Sequence, residues 1–139
     1  MNRAAQQHGC REVTLPAASP AAGLARQATR AAVTAWQLGH LTDAAVLLVS
    51  ELVTNAFQHT GPDASLTVLR LEYAEDWLRI EVHDTCPHSP RPRTPDWPDE
   101  SGFGLMLVDA LAAAWGVRQT TQGKAVWAEL DARPGGAAE

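Results

Sequence analysis

The sequence predicts an α+β fold, a two-layer sandwich in which a mixed or antiparallel sheet is covered by about three helices. Segments with helical spacing of apolar residues are grouped before and between segments that alternate polar and apolar residues, and short turns join the alternating segments. Helices grouped in this way form one layer over one sheet. The chain has 139 residues, 45% of them hydrophobic, which suits a single domain with a sizeable core. We expect that domain over residues 11–131, between flexible segments at 1–10 and 132–139.

The first half of the chain predicts one strand and two helices. Residues 11–16 alternate polar and apolar side chains and predict a short strand that ends at Pro16. Ser19-Pro20 is a helix-start signal, and we expect the helix that follows to end at Gly39. A second helix is predicted over residues 42–59; it is apolar on several faces, which indicates deep packing against a sheet.

The second half predicts a hairpin, a helix and a second pair of strands. Apolar residues recur at period two on either side of the turn Glu75-Asp76, which predicts an antiparallel hairpin whose second strand covers residues 77–83. One face of the first strand is expected to carry Leu69, Leu71 and Tyr73, and one face of the second is expected to carry Leu78, Ile80 and Val82. A third helix is predicted over 104–115, followed by strands at 116–121 and 124–130 with a turn at Gln122-Gly123.

Composition excludes several classes of protein. The formal net charge of −5 argues against direct nucleic-acid binding, because phosphate neutralisation needs clustered Lys and Arg. Two cysteines, Cys10 and Cys86, make no disulfide framework and suit a reducing compartment. No apolar run is long enough for a secretory signal or a membrane span. We therefore expect a cytoplasmic protein that does not bind a membrane.

Three polar residues share one face of the second predicted helix. Glu51, Asn55 and His59 follow one another at intervals of four. A carboxylate and a carboxamide one turn apart can bind a hard cation or position a hydroxyl group. The alternative is an exposed polar stripe on a half-buried helix.

Two further features could contribute to a site. Asp84 ends a predicted strand, where a carboxylate can accept a hydrogen bond from a ligand amine, or can cap its own turn. Gly102, Gly104 and Leu105 open the third helix, where glycines let a ligand approach the backbone and free N–H groups can hold phosphate. The alternative for the glycines is an ordinary tight turn into the helix.

A metal site is a competing interpretation of the segment around Asp84. His83, Asp84, Cys86 and His88 lie within six residues, and all four are residue types that bind metals. Successive strand residues point to opposite faces, however, so His83 and Asp84 cannot both face one metal while the strand continues. The spacing also matches none of the usual paired zinc motifs. These observations disfavour a metal cluster here.

The order of these segments resembles a known family. ELVTNAFQH on a helix, a strand ending at Asp84, then GFGLMLVDALAAAWGV and a closing KAVWAEL resemble the GHKL ATP-binding domain, or Bergerat fold. The match is closest to the small bacterial anti-sigma regulatory factors with serine/threonine kinase activity. The resemblance covers residues 11–130, nearly the whole chain.

The resemblance implies a role for each candidate residue. Glu51 matches the family's general base, and Asn55 matches the ligand of the Mg²⁺ that bridges the phosphates of ATP. Asp84 matches the aspartate that binds the adenine amino group. Gly102 and Gly104, followed by Leu105, match the segment beside the phosphates. His59 stands where histidine is usual in the motif, and no catalytic role is implied for it.

The proline-rich segment between Asp84 and the third helix corresponds to the ATP lid of the family. Five of the nine prolines fall within residues 87–98. Proline fixes φ and restricts the preceding residue, so we expect an extended, stiff lid. The chain departs from the family pattern beside this lid: Thr85-Cys86-Pro87-His88 replaces glycines that often follow the aspartate, and Phe103 stands where arginine is common.

The resemblance implies an ATP- and Mg²⁺-binding anti-sigma regulatory factor. Such a protein binds a sigma factor or a related partner, and phosphorylates a serine of a small antagonist protein. One alternative is a regulator that acts by protein contact alone, with or without bound ATP. A second is a histidine-kinase catalytic module, which is disfavoured because no helix pair with a phospho-accepting histidine is predicted. A homodimer is left open.

Overall fold

The computed structural model describes residues 8–16, 20–60, 66–85, 102–121 and 123–133. Within these residues, three α-helices and five strands follow the predicted order. Their bounds are β1 His8–Leu15, α1 Ala21–Ala35, α2 Thr42–Thr60, β2 Leu66–Ala74, β3 Trp77–Thr85, α3 Gly102–Leu111, β4 Ala114–Gln119 and β5 Gly123–Asp131. A short 3₁₀ helix, Gly39–Leu41, leads into α2.

The strands form one antiparallel sheet in the order β1-β2-β3-β5-β4. The β2–β3 hairpin closes through the predicted two-residue turn Glu75-Asp76, with Ala74 opposite Trp77. The helices cover one face of this sheet, and α2 packs against α1, α3, β3 and β5. The predicted two-layer α+β sandwich is confirmed.

The core lies between the helices and one face of the sheet. The six apolar residues predicted to share a face in the hairpin strands all lie on that side, and all but Tyr73, which is half-buried, have side chains at most 1% exposed. Helix α2 contributes five fully buried side chains: Ala45, Leu48, Val49, Leu52 and Val53. Helix α2 is therefore the central element of the helical layer, as its apolar faces predicted.

Helix α1 ends four residues before the predicted stop. The prediction placed its end at Gly39, but the helix ends at Ala35. Gln37 has a φ of 60° and takes the left-handed position that glycine usually occupies, and the Leu38 N–H donates to the Val33 carbonyl oxygen at 2.7 Å. Leu38 is 3% exposed and joins the core. This Schellman-type stop is fixed by the burial of Leu38 rather than by a glycine.

Other element boundaries also differ from the prediction. β1 begins at His8, so residues 8–10, which were predicted to be flexible, belong to the sheet. Helix α3 was expected to run to Trp115 but ends at Leu111, and β4 starts at Ala114. The Ala113 N–H donates to the Glu129 carbonyl oxygen at 2.8 Å, so pairing with β5 replaces the next helical hydrogen bond.

The other face of the sheet carries a network of ion pairs around Glu81. Arg79 Nε donates to Glu81 Oε2 at 2.7 Å, His83 Nε2 lies 2.6 Å from Glu81 Oε1, and Arg118 is 3.5 Å away. Burial by itself raises the pKa of Glu81, but the hydrogen bonds from Arg79 and His83 outweigh it and lower the pKa to about 2. Glu81 is thus held ionised on this face.

We expect Glu81→Gln to lower the free energy of unfolding by about 1–3 kcal/mol at pH 7, because it removes the charged partner of Arg79 Nε and of His83. Arg79 keeps its second carboxylate, since its Nη1 donates to Glu129 Oε2 at 2.6 Å. The pKa of Glu81 is lowered on folding, so its contribution is full above the ordinary value of 4.5 and is lost as the pH falls toward 2. The difference between the variant and the wild type should therefore shrink over that range, measured by urea unfolding at several pH values.

Glu12→Gln is the matched control for this prediction. Glu12 pairs with Arg70 at 3.1 Å, but its side chain is 57% exposed. An exposed pair of this kind contributes about 0–1 kcal/mol. A stability difference for Glu81→Gln that stays constant from pH 5 to pH 2 would contradict the assignment of the network.

Candidate functional site

A row of polar side chains crosses the covered face of the sheet at one end of the three central strands. Thr67 on β2 lies opposite Asp84 on β3, and Asp84 lies opposite Lys124 on β5. Directly opposed residues in an antiparallel pair have Cβ atoms about 4.5–5.5 Å apart on the same face. The next row toward the centre of the sheet is entirely apolar, and consists of Leu69, Val82 and Val126. Thr67, Asp84 and Lys124 therefore form a polar row at the edge of an apolar surface.

Asp84 is buried and has an oxygen that the described residues do not satisfy. Its residue exposure is 7%, and Oδ1 has no hydrogen-bond partner within the described part of the chain. Burial raises the pKa of Asp84, and the charge of Lys124 partly opposes that rise. A buried carboxylate oxygen without a partner costs free energy, typically about 1–3 kcal/mol or more. Such an oxygen is ready to accept a hydrogen bond from a ligand.

The structure does not fit the alternative in which Asp84 caps a turn. β3 continues to Thr85, so Asp84 lies within a paired strand. Its side chain belongs to the core face, whereas His83 points to the opposite face and contacts Glu81. Asp84 and His83 cannot bind one metal ion, as the alternation of strand residues predicted.

No group of three or more potential metal ligands occurs in the described ranges. Cys86 and His88, the other members of the competing metal interpretation, lie outside those ranges. The proline-rich segment predicted to form a lid also lies outside them.

Helix α2 brings Glu51 and Asn55 onto neighbouring turns. Asn55 is 2% exposed and Glu51 is half-buried. Residues four apart on a helix have Cβ atoms about 5–6 Å apart. An exposed polar stripe does not describe Asn55, which is as buried as the leucines around it. His59 lies in the last turn of α2, and its side chain is not among those that the structure describes.

Gly102 lies inside helix α3 rather than before it, and Gly104 and Leu105 lie in the helix as predicted. The helix begins at Gly102, two residues earlier than predicted, so Gly102, Gly104 and Leu105 all belong to its first turn and a half. The first N–H groups of an α-helix have no partner within the helix. Helix α3 packs against α2, which places its backbone in the same layer as Glu51 and Asn55.

Thr67 and Lys124 are members of the polar row that the sequence-based site did not include. Thr67 could have been found, because counting back from the turn at Glu75-Asp76 places it opposite Asp84. Lys124 could not, because its register depends on the pairing of β3 with β5, which are separated by the third helix and β4. Lys124 lies half-buried beside Asp84.

Comparison with known proteins agrees with this architecture. Residues 15–130 match the family model of the histidine kinase-like ATPase domain. The chain is also 34% identical over 88 residues to an uncharacterized protein of Streptomyces coelicolor, a match that covers 62% of this chain and 84% of the relative. Among the described residues, no helix has the length and apolar character needed to cross a bilayer.

Proposed function

Because the chain belongs to the histidine kinase-like ATPase domain family, we propose that it is an ATP- and Mg²⁺-binding anti-sigma regulatory factor that phosphorylates an antagonist protein on serine or threonine. Membership of the family accounts for ATP binding. The regulatory role and the transfer to a protein hydroxyl rest on the resemblance of the ELVTNA and GLMLVDALAAAWG segments to the anti-sigma kinases.

Asp84 is the observation that carries the proposal. A carboxylate with an unpartnered oxygen at the end of an apolar sheet face suits a planar, largely apolar ring that carries one amino group. Adenine has that chemistry: its ring would lie at the apolar end of this face, and its exocyclic amine would donate to Asp84. Without a ligand, the buried Asp84 oxygen lowers the stability of the folded protein because it lacks a hydrogen bond. The amine of a bound adenine would supply that hydrogen bond.

Asn55 and Glu51 are suited to the phosphate end of the nucleotide. Magnesium prefers oxygen ligands and is held by few protein groups when ATP supplies the others, so the Asn55 carboxamide oxygen is a sufficient protein ligand. When bound, the ion would neutralise charge on the phosphates. Glu51, one turn earlier on α2, would accept the proton of an attacking hydroxyl. The N–H groups of the first turn of α3, at Gly102 and Gly104, would bind phosphate oxygens.

The proposed partners follow from the same resemblance. The protein would bind a sigma factor, and the antagonist would release it and be inactivated by phosphorylation. The transfer needs no covalent intermediate on this chain, because positioning and charge neutralisation supply most of the catalysis of phosphoryl transfer.

Titration with a fluorescent ATP analogue tests the nucleotide half of the proposal. We expect saturable binding that unlabelled ATP displaces and that EDTA weakens by chelating Mg²⁺. In Asn55→Ala the EDTA effect should be lost, because the ligand for the ion is gone. No binding at millimolar nucleotide would contradict the proposal and favour a regulator that acts by protein contact alone.

Transfer of radioactive phosphate from ATP to candidate antagonist proteins tests the kinase half. We expect phosphate that survives acid, as on serine or threonine. Acid-labile phosphate on the partner would instead indicate phosphohistidine and a histidine-kinase activity. ATP binding without transfer to any antagonist that binds the protein would leave a non-catalytic ATP-binding regulator.

A further inference from the structure

Besides Asp84, Thr67 is a buried polar side chain on the covered face of the sheet that the described residues do not satisfy. It is 1% exposed, and its Oγ1 has no hydrogen-bond partner among the described residues. Thr29, which is also buried, behaves differently, since its Oγ1 donates to the Ala25 carbonyl oxygen at 2.8 Å. Buried threonines in helices commonly bond to the preceding turn, and a strand offers Thr67 no such local acceptor.

Thr67 and Asp84 are direct cross-strand neighbours, yet they do not bond to each other. Their pairing register places both side chains on the covered face. A hydroxyl donor beside a carboxylate acceptor would normally form a hydrogen bond, yet neither Thr67 Oγ1 nor Asp84 Oδ1 has a partner among the described residues. The pair therefore presents a hydrogen-bond acceptor and a rotatable hydroxyl side by side at one end of an apolar face.

Building on the proposed ATP binding, we infer that Thr67 is a specificity-determining residue that forms a hydrogen bond with the adenine beside the one formed by Asp84. Asp84 accepts from the exocyclic amine, and the Thr67 hydroxyl donates to the ring nitrogen next to that amine. The amine of adenine is a donor flanked by acceptor nitrogens, so this edge complements an acceptor and a donor placed on adjacent strands. A base with a carbonyl oxygen in place of the amine would set that oxygen against Asp84.

Thr67→Val and Thr67→Ser separate the hydroxyl from the shape of the side chain. Valine keeps the volume and the β-branch that suit a strand, and serine keeps the hydroxyl. We expect Thr67→Val to weaken ATP binding about 3- to 10-fold, the worth of one buried neutral hydrogen bond, and Thr67→Ser to retain most of the affinity. Thermal unfolding of the free Thr67→Val protein should occur at an unchanged or higher temperature, because no hydrogen bond within the protein is lost.

Analogues of ATP identify the ring nitrogen that accepts the hydrogen bond from Thr67. 1-Deaza-ATP and 7-deaza-ATP each lack one of the two ring nitrogens that flank the amine. One of them should bind the wild type about 3- to 10-fold more weakly than ATP, and should bind Thr67→Val no more weakly than ATP does. Such non-additivity assigns the hydrogen bond to Thr67 and that nitrogen.

The results distinguish this inference from the proposed function. If the wild type binds no ATP, both are overturned. If the wild type binds ATP and Thr67→Val binds it equally well, only the role of Thr67 is overturned. The same holds if the losses from the variant and from both analogues simply add, or if the free Thr67→Val protein unfolds at a clearly lower temperature.

Discussion

Asp84→Asn should weaken ATP binding about 10- to 100-fold. The substitution preserves the shape of the side chain but removes the charge that makes the hydrogen bond from the adenine amine strong, and a hydrogen bond to a charged group contributes about 1.5–3 kcal/mol. The asparagine must also turn its side-chain oxygen toward the ligand, and its NH₂ group then lies buried where the second carboxylate oxygen was. Calorimetric titration with ATP and Mg²⁺ measures the effect.

The same variant should be at least as stable as the wild type at neutral pH. Burial raises the pKa of Asp84, so the folded protein holds this proton at pH values where the unfolded chain has released it. The free energy of unfolding of the wild type therefore falls as the pH rises through the interval between the ordinary value of 3.8 and the raised pKa. Asp84→Asn has no titrating group at this position and so does not lose stability in this way. Its stability relative to the wild type should therefore increase over that interval.

Asp76→Asn provides the matched control for Asp84→Asn. Asp76 is exposed in the turn between β2 and β3, at the end of the hairpin far from Asp84. The control should change neither ATP affinity nor the acid branch of the stability curve. A structural role for Asp84 predicts the opposite pattern, a lower unfolding temperature for Asp84→Asn with ATP affinity intact, and that result would contradict the assignment.

Local sequence patterns predicted most of the fold, because polar/apolar alternation follows the geometry of a strand and apolar spacing follows that of a helix. The alternation around Glu75-Asp76 determined the hairpin and its register, and the apolar faces of α2 predicted its central place. The errors occur where distant contacts decide. Leu38 ends α1 by entering the core, and Glu129 ends α3 by pairing with Ala113, and neither contact leaves a local pattern in the sequence.

For the candidate site, too, the sequence predicted local placement but not burial or the neighbours across the strands. Spacing placed Glu51 and Asn55 on one helix face, but only the packing of α2 shows that Asn55 is buried. Asp84 was found as a polar residue at a strand end, while its neighbours required the strand register. The structure places Lys124 beside Asp84, where its positive charge favours the ionised carboxylate.

Glu51→Gln should abolish most phosphoryl transfer while leaving ATP binding within about 2-fold of the wild type. A positioned general base contributes about 10²- to 10⁴-fold to the rate, and glutamine cannot accept the proton of the attacking hydroxyl. Glu51 is half-buried on α2, and glutamine keeps its length and its helix propensity, so the helix that carries Asn55 should be unchanged. Transfer rates at saturating ATP, measured beside a binding titration, separate the two effects.

The control for Glu51→Gln is Glu75→Gln in the exposed turn between β2 and β3, which should alter neither rate nor affinity. Loss of ATP binding in parallel with the rate would mean that Glu51 holds the nucleotide or its Mg²⁺, because a base that acts only on the acceptor hydroxyl contributes to the transition state and not to the bound ground state. Full transfer activity in Glu51→Gln would show that the proton leaves by another route, and would remove Glu51 from the proposed mechanism while leaving Asp84 and Thr67 as the adenine site.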